Sequence, residues 1–165
     1  MTALAAGKKA PDFTLPGRDG KQFSLKQALL QGPVVLAFFK ISCPVCQYAF
    51  PFLERIHQAY GNNKVAIVGV SQNSRKDTEL FVNQFGLTFT VLLDDTNSYP
   101  VSNAYGLTNV PSVFWIDPDG AIKISSVGWV KQEVEEINQK AAQIGQTPLH
   151  PIFLPDEQVP GYRPG

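Results

Sequence analysis

The sequence contains few cysteines: Cys43 and Cys46 are the only two among 165 residues. Two cysteines so close along the chain do not form the framework of cross-links that stabilises small secreted domains. A chain of this length is expected to fold as one domain and to bury a core without such cross-links. The pair therefore suits redox chemistry in a reducing compartment better than structural cross-linking.

Net charge is absent as well, since 14 acidic residues balance 14 basic ones. Because no block or stripe of basic residues appears, nucleic acids and anionic membrane surfaces are poor candidates for partners. No apolar run reaches the ~18 residues of a membrane span, and the N terminus lacks the regions of a signal peptide. We therefore expect no membrane span and a cytoplasmic location, or a periplasmic or extracytoplasmic one if a leader has been removed.

Histidine is also scarce, which argues against a metal site because zinc needs about four ligands. His57 lies about 16 Å along the same predicted helix from Cys46, and His150 lies in a proline-rich tail. We expect no metal, and no cofactor other than the cysteine pair itself. Binding of copper by the two sulfurs is a third, non-enzymatic alternative.

The sequence does contain a buried strand that leads into a helix through the two cysteines. Val34–Phe39 is continuously apolar, and a helical pattern runs from Cys43 to Tyr60. At a helix N-terminus, free backbone N–H groups and the macrodipole stabilise a thiolate. Pro44 suits the first helical position, and the i, i+3 spacing brings Cys46 within disulfide reach of Cys43. We expect Cys43 to be the reactive thiol.

The remaining pattern predicts further strands and helices in alternation. Strands are expected at residues 13–15, 22–24, 65–70, 89–93, 112–116 and 121–127, and helices at residues 24–30, 75–85, 98–105 and 131–144. The first two strands should form a hairpin, and the run at 65–70 should be a parallel neighbour of the strand before the cysteines. A tight-turn sequence should join the last two strands as an antiparallel hairpin.

Proline dominates the end of the chain. Pro148, Pro151, Pro155, Pro160 and Pro164 are expected to forbid regular structure there. The same segment contains Ile152 and Phe153, so we expect it to pack along the surface, with a disordered or partner-docking peptide as the alternative. We divide the chain into an N-terminal leader segment (1–9), one domain (10–146) and this C-terminal tail (147–165).

Several motifs together resemble the thioredoxin superfamily, and in particular its redoxin branch. They are the cysteine pair, Pro51 five residues after it, the opening segment 10–15, and the segment 110–120, which resembles the family's cis-proline strand and turn. The resemblance covers roughly residues 10 to 144. It implies an α/β thioredoxin fold, with a central mixed sheet flanked by helices, an N-terminal β-hairpin and a central insertion. The related proteins are of the alkyl hydroperoxide reductase/thiol-specific antioxidant type and of the cytochrome-maturation type.

The resemblance also implies a function, which is that of a thiol-disulfide oxidoreductase acting on protein disulfides. A cis peptide bond between Val110 and Pro111 would lay the Val110 backbone beside the cysteines, where a substrate peptide can pair as an added strand. Pro44 and Val45, between the cysteines, are the other candidate substrate-binding residues. The expected partners are a protein disulfide and an upstream thiol reductant, and the protein is expected to be a monomer.

The sequence departs from the thioredoxin pattern at residues that surround the cysteines. Relatives place a carboxylate six residues before the first cysteine or three residues after the second, whereas this chain has Ala37 and Ala49. Ser42 stands where thioredoxins commonly have tryptophan. Lys40 could bring a positive charge near Cys43 and favour its thiolate, or it could be a solvated lysine at the end of a strand.

A peroxiredoxin-like peroxidase that reduces hydroperoxides is the alternative enzyme. Those enzymes carry threonine or serine three residues before the reactive cysteine, a proline four residues earlier, and a later arginine. The corresponding positions here are Lys40 and Leu36, and no arginine lies between Arg75 and Arg163. We therefore expect weak peroxidase activity.

Overall fold

The computed structural model describes residues 2–61 and 64–165 as an α/β structure. The strands are β1 (Thr14–Pro16), β2 (Gln22–Ser24), β3 (Val34–Phe39), β4 (Ala66–Ser71), β5 (Thr90–Leu93), β6 (Ser112–Ile116), β7 (Ile122–Val127), β8 (Trp129–Val130) and β9 (Tyr162–Arg163). The helices are α1 (Leu25–Leu29), α2 (Pro44–Tyr60), α3 (Arg75–Phe85), α4 (Pro100–Ala104) and α5 (Lys131–Gly145). The expected elements are confirmed, with boundaries that differ by one or two residues.

The central sheet has five strands in the order β5-β4-β3-β6-β7. β3 is the middle strand; it runs parallel to β4 and antiparallel to β6. All six of its residues are buried because both of its faces are covered, as its continuous apolar sequence predicts. The predicted mixed sheet and the N-terminal hairpin of β1 and β2 are therefore confirmed.

Alternate residues of β3 serve two separate hydrophobic cores. Val35, Ala37 and Phe39 pack in the core that includes residues of α2, α3 and α5. The intervening residues of β3 pack on the other face, with α1, α4 and the hairpin. The helix α2, which carries the cysteines, therefore lies on the face of the sheet to which Val35, Ala37 and Phe39 point. None of the helices in the described ranges is long and apolar enough to cross a membrane.

The N-terminal segment is joined to the domain by backbone hydrogen bonds. Gly7 N donates to Ile122 O at 2.8 Å, and Ala10 N donates to Gly120 O at 2.8 Å. Ala3 and Leu4 pack against the core on the α1 side. The structure thus adds residues 3–9 to the folded unit, although the sequence pattern separates them from it.

The C-terminal tail folds back over α2 and α5. Ile152 is buried, and the ring centre of Phe153 lies 5.3 Å from that of Phe52. The guanidinium of Arg55 forms a bidentate pair with the Glu157 carboxylate, with distances of 2.7 and 2.8 Å. Apolar contacts and an ion pair therefore both hold the middle of the tail against the domain.

The expectation that the prolines forbid regular structure throughout the tail is wrong at its end. Tyr162 and Arg163 form β9, which pairs antiparallel with β8. They lie between Pro160 and Pro164, so both residues of the strand have a backbone N–H that can pair. A two-residue strand at a sheet edge is short enough to fit between two prolines.

Candidate active site

Cys43 caps the N-terminus of α2. Its backbone is extended (φ −86°, ψ 113°), and its Sγ accepts a hydrogen bond from the backbone N–H of Cys46 at 3.1 Å. Pro44 occupies the first turn, where its missing N–H leaves no hydrogen bond unmade. The expected arrangement, with a sulfur at the start of the helix, is present.

The two thiols differ in their surroundings. Both are free, but Cys43 is partly exposed whereas Cys46 is buried. Burial raises the pKa of the Cys46 thiol well above its usual range, and the hydrogen bond to Cys43 adds to this effect. Only the Cys43 sulfur is therefore both accessible and favourably placed to attack.

Neither of the carboxylates that relatives place near the second cysteine is present. Ala37 and Ala49 occupy those positions, and both are buried in the same core as Cys46. Because alanine has no group that accepts a proton, neither residue can assist loss of the Cys46 proton.

The loop before β6 brings Val110 and Pro111 to the cysteines. The peptide bond between them is cis, as predicted. Val110 O accepts a hydrogen bond from Cys43 Sγ at 3.4 Å, across 67 residues of sequence. The register of the sheet explains this approach, since Phe38 near the end of β3 lies opposite Ser112 at the start of β6.

A groove of about 430 Å³ lies beside Cys43. Four of the candidate residues line it, namely Lys40, Cys43, Pro44 and Val110. The residues that sequence reasoning missed are Gln72, Leu107, Thr108, Asn109 and Gly165. The structure therefore gathers the reactive thiol, the cis-proline loop and Gly165 of the tail around one groove.

Val45, by contrast, does not present its side chain to this groove. It is 8% exposed and packs in the core with Cys46 and Phe50. Of the two residues between the cysteines, Pro44 faces the solvent and Val45 faces the sheet, because α2 buries the side on which Val45 lies. The predicted contact of Val45 with substrate would therefore have to be made by its backbone rather than by its side chain.

A buried carboxylate orients Gln72 at the rim of the groove. Ser102 Oγ donates to Asp94 Oδ2 at 2.7 Å, so its oxygen is left to accept from Gln72 Nε2 at 3.0 Å. Gln72 directly follows β4, the parallel neighbour of β3. Its position could have been found from the sequence, because the carboxyl ends of parallel strands meet at one edge of a sheet.

The described part of the chain contains no group of three or more histidine, cysteine or acidic residues that could hold a metal ion. His57 lies on α2 beside Phe89, with 6.0 Å between the ring centres. The backbone carbonyl of His150 accepts from Asn138 Nδ2 at 2.8 Å. The structure therefore does not bring either histidine to the cysteines as a ligand.

The fold, with two thiols at the start of α2 beside a cis-proline loop, is that of a thioredoxin-like thiol-disulfide oxidoreductase. The chain belongs to the AhpC/TSA family, whose model matches residues 6–125. It is 33% identical over 142 residues to thiol-disulfide oxidoreductase ResA of Geobacillus thermodenitrificans (strain NG80-2). The aligned region covers 82% of this chain and 80% of that protein. The resemblance to the redoxin branch is confirmed.

Solved structures agree with this assignment. A protein from Chlorobium tepidum, assigned as a thiol:disulfide interchange protein DsbE, superposes with a TM-score of 0.75 at 28% identity, over 87% of this chain and 99% of that one. Peroxidoxin BcpB from Mycobacterium tuberculosis superposes with a TM-score of 0.69 at 20% identity, over 87% of this chain and 97% of that one. The second likeness shows the fold alone, so the named sequence relatives favour the oxidoreductase over the peroxidase.

Proposed function

We propose that this oxidoreductase reduces disulfide bonds of other proteins, with Cys43 as the attacking thiol and Cys46 as the resolving thiol. The observation that carries the proposal is the position of Cys43 Sγ. It lies between the N–H of Cys46, at 3.1 Å, and the carbonyl of Val110, at 3.4 Å, at the edge of an open groove. A substrate disulfide that enters the groove meets Cys43 first.

The reaction has two steps. In the first, the Cys43 thiolate attacks one sulfur of the substrate disulfide, the substrate S–S bond breaks, and the other sulfur leaves as a thiol after taking up a proton. In the second, the Cys46 thiolate attacks Cys43 Sγ, and the second substrate sulfur leaves. The chain ends as a Cys43–Cys46 disulfide, and the substrate has gained two electrons and two protons.

The backbone around the groove provides the binding surface. The cis peptide before Pro111 presents the backbone of Val110 at the rim, where an extended substrate segment can add as a strand. Pro44 closes the groove near the sulfur, and Lys40 contributes a positive charge at its edge. Val110, Pro111, Pro44 and the backbone of Val45 are proposed to bind the substrate without taking part in the chemistry. Lys40 is proposed to place its positive charge near the Cys43 sulfur.

The oxidised protein must be reduced again by another thiol, so we propose an upstream thiol reductant as its second partner. We also propose that the protein acts as a monomer, which size-exclusion chromatography with light scattering tests.

The proposed compartment is the cytoplasm, because an adjacent cysteine pair suits a reducing environment. Recovery of the protein from a periplasmic fraction would contradict this proposed location.

Reduction of insulin by dithiothreitol tests the proposal. The wild-type protein should accelerate precipitation of the insulin B chain, whereas Cys43→Ser should leave only the uncatalysed rate. Ser42→Ala is a matched control, because Ser42 is an exposed neighbour whose hydroxyl has no part in the exchange. An equal acceleration by wild type and Cys43→Ser would contradict the proposal.

A further inference from the structure

The last residues of the tail lie against the proposed substrate-binding edge. Asn109 Nδ2 donates to Gly165 O at 3.2 Å. A Cβ atom on Gly165 would lie 2.5 Å from Val110 O and 3.0 Å from the Val110 carbonyl carbon. The Gly165 backbone is therefore in direct contact with the same carbonyl that accepts the hydrogen bond of Cys43.

The turn before β8 forms the other side of the same contact. Gly128 has a φ of +76°, and its N–H donates to Pro111 O at 2.8 Å. A Cβ atom on Gly128 would lie 2.6 Å from Arg163 O and 3.0 Å from Gly165 N. The end of the tail thus lies between the cis-proline loop and this turn, and apart from the Asn109 side chain these contacts are made by backbone atoms.

Short contacts at the protein surface hold this end of the tail, namely the two-residue pairing of β9 with β8, the hydrogen bond from Asn109 and two others. The Arg163 guanidinium lies 5.1 Å from the ring centre of Tyr48, and Lys131 N donates to Gly161 O at 2.9 Å. Tyr162 and Gly165 are exposed, whereas Ile152, in the middle of the tail, is buried. Residues 162–165 can therefore detach locally while the buried anchor and the domain stay folded.

We propose that residues 162–165 occupy the position of the substrate segment, so that the tail and the substrate compete for the backbone edge formed by Val110 and Gly128. The inference rests on the function proposed above and names the partner more closely. The partner is an extended protein segment, with a small residue where it crosses the Val110 carbonyl, as Gly165 does. Because binding requires the tail to leave, the apparent affinity for the substrate segment is the intrinsic affinity multiplied by the fraction of molecules in which the edge is free.

Weakening the tail without changing the groove tests this competition. Arg163→Ala removes the contact with Tyr48, so KM for insulin should fall about two- to fivefold with kcat unchanged. The rate with the small disulfide 5,5′-dithiobis(2-nitrobenzoate), which does not need the backbone edge, should not change. Arg18→Ala is the matched control, since Arg18 pairs with Glu79 away from the groove. An unchanged or raised KM in Arg163→Ala would overturn the proposal.

A second measurement follows the tail directly. An insulin-derived peptide is trapped as a mixed disulfide on Cys43 in the Cys46→Ser protein, and amide hydrogen exchange is compared with that of the same protein without peptide. The fragment with residues 160–165 should exchange faster when the peptide is bound, and the fragment around Ile152 should not change. Unchanged protection at 160–165 with the peptide attached would refute the competition alone, whereas failure of Cys43 to form any adduct would refute the proposed function as well.

Discussion

Supplying a carboxylate next to Cys46 should accelerate the second step of the reaction. Cys46 must lose its proton before it attacks Cys43, and burial holds its pKa above the ordinary value of about 8.5. Ala49 is one helical turn beyond Cys46 and is 5% exposed. Ala49→Glu would therefore place a proton acceptor beside a sheltered thiol that has none at positions 37 and 49.

The size of the effect follows from the fraction of thiolate. An ordinary thiol is about 3% ionised at pH 7, and each further unit of pKa lowers that fraction tenfold. Because the pKa of Cys46 is raised, the resolution rate of the wild type should climb about tenfold per pH unit from pH 7 to pH 9, without a plateau. General base catalysis typically contributes ~10²–10⁴-fold, so Ala49→Glu should gain at least about tenfold near neutrality. Burial of the new carboxyl should lower the free energy of unfolding by about 1–3 kcal/mol.

The assay is single-turnover resolution of a preformed mixed disulfide on Cys43, followed against pH by quenching and mass spectrometry. Ala49→Gln is the matched control, because it has the same size and polarity but accepts no proton at neutral pH. It should resolve as slowly as the wild type. A wild-type rate that is already flat from mildly acid to alkaline pH, with Ala49→Glu no faster, would mean that another base accepts the Cys46 proton.

Three further predictions concern specificity and stability. Peroxide should oxidise Cys43 only as fast as an ordinary accessible thiol, because the polarising threonine and arginine of peroxidases are absent. Stopped-flow fluorescence of the buried Trp129 reports the rate, and a rate typical of dedicated peroxidases would favour the peroxidase function. The Arg55 guanidinium lowers the pKa of Glu157 to about 2, so docking of the tail is strongest above the ordinary glutamate pKa of about 4.3 and weakens as the pH falls toward 2. Hydrogen exchange of the tail should show this loss in the wild type and little pH dependence in Glu157→Gln. Asp94→Ala removes acceptors from the buried N-terminus of α4 and should lower the free energy of unfolding by about 2–3 kcal/mol in urea denaturation, with the exposed Asp95→Ala as the control.

The elements that carry the thiols could be predicted because their signals are local. The apolar run of β3, the proline after Cys43 and the helical spacing of α2 lie within one continuous stretch of chain. The cis-proline loop is 67 residues away from Cys43, and its approach could be expected only from the resemblance to a known family.

The composition of the groove could not be predicted in the same way. Gln72 could have been placed at this edge because it follows β4, but its orientation depends on a hydrogen bond to Ser102. Gly165 reaches the rim because β9 pairs with β8. The orientation and the pairing depend on tertiary packing, for which periodicity gives no signal. The burial of Val45 could not be predicted from its position beside a cysteine, because that position does not show which side of the helix faces the sheet.

Mass spectrometry of trapped adducts shows which of the two thiols attacks a substrate disulfide. Cys43→Ser and Cys46→Ser proteins are each incubated with a disulfide-bonded protein, alkylated and digested. We expect stable mixed disulfides on Cys43 in the Cys46→Ser protein and none on Cys46 in the Cys43→Ser protein, because only the Cys43 sulfur is partly exposed at the start of α2. Adducts on Cys46 with none on Cys43 would contradict this expectation.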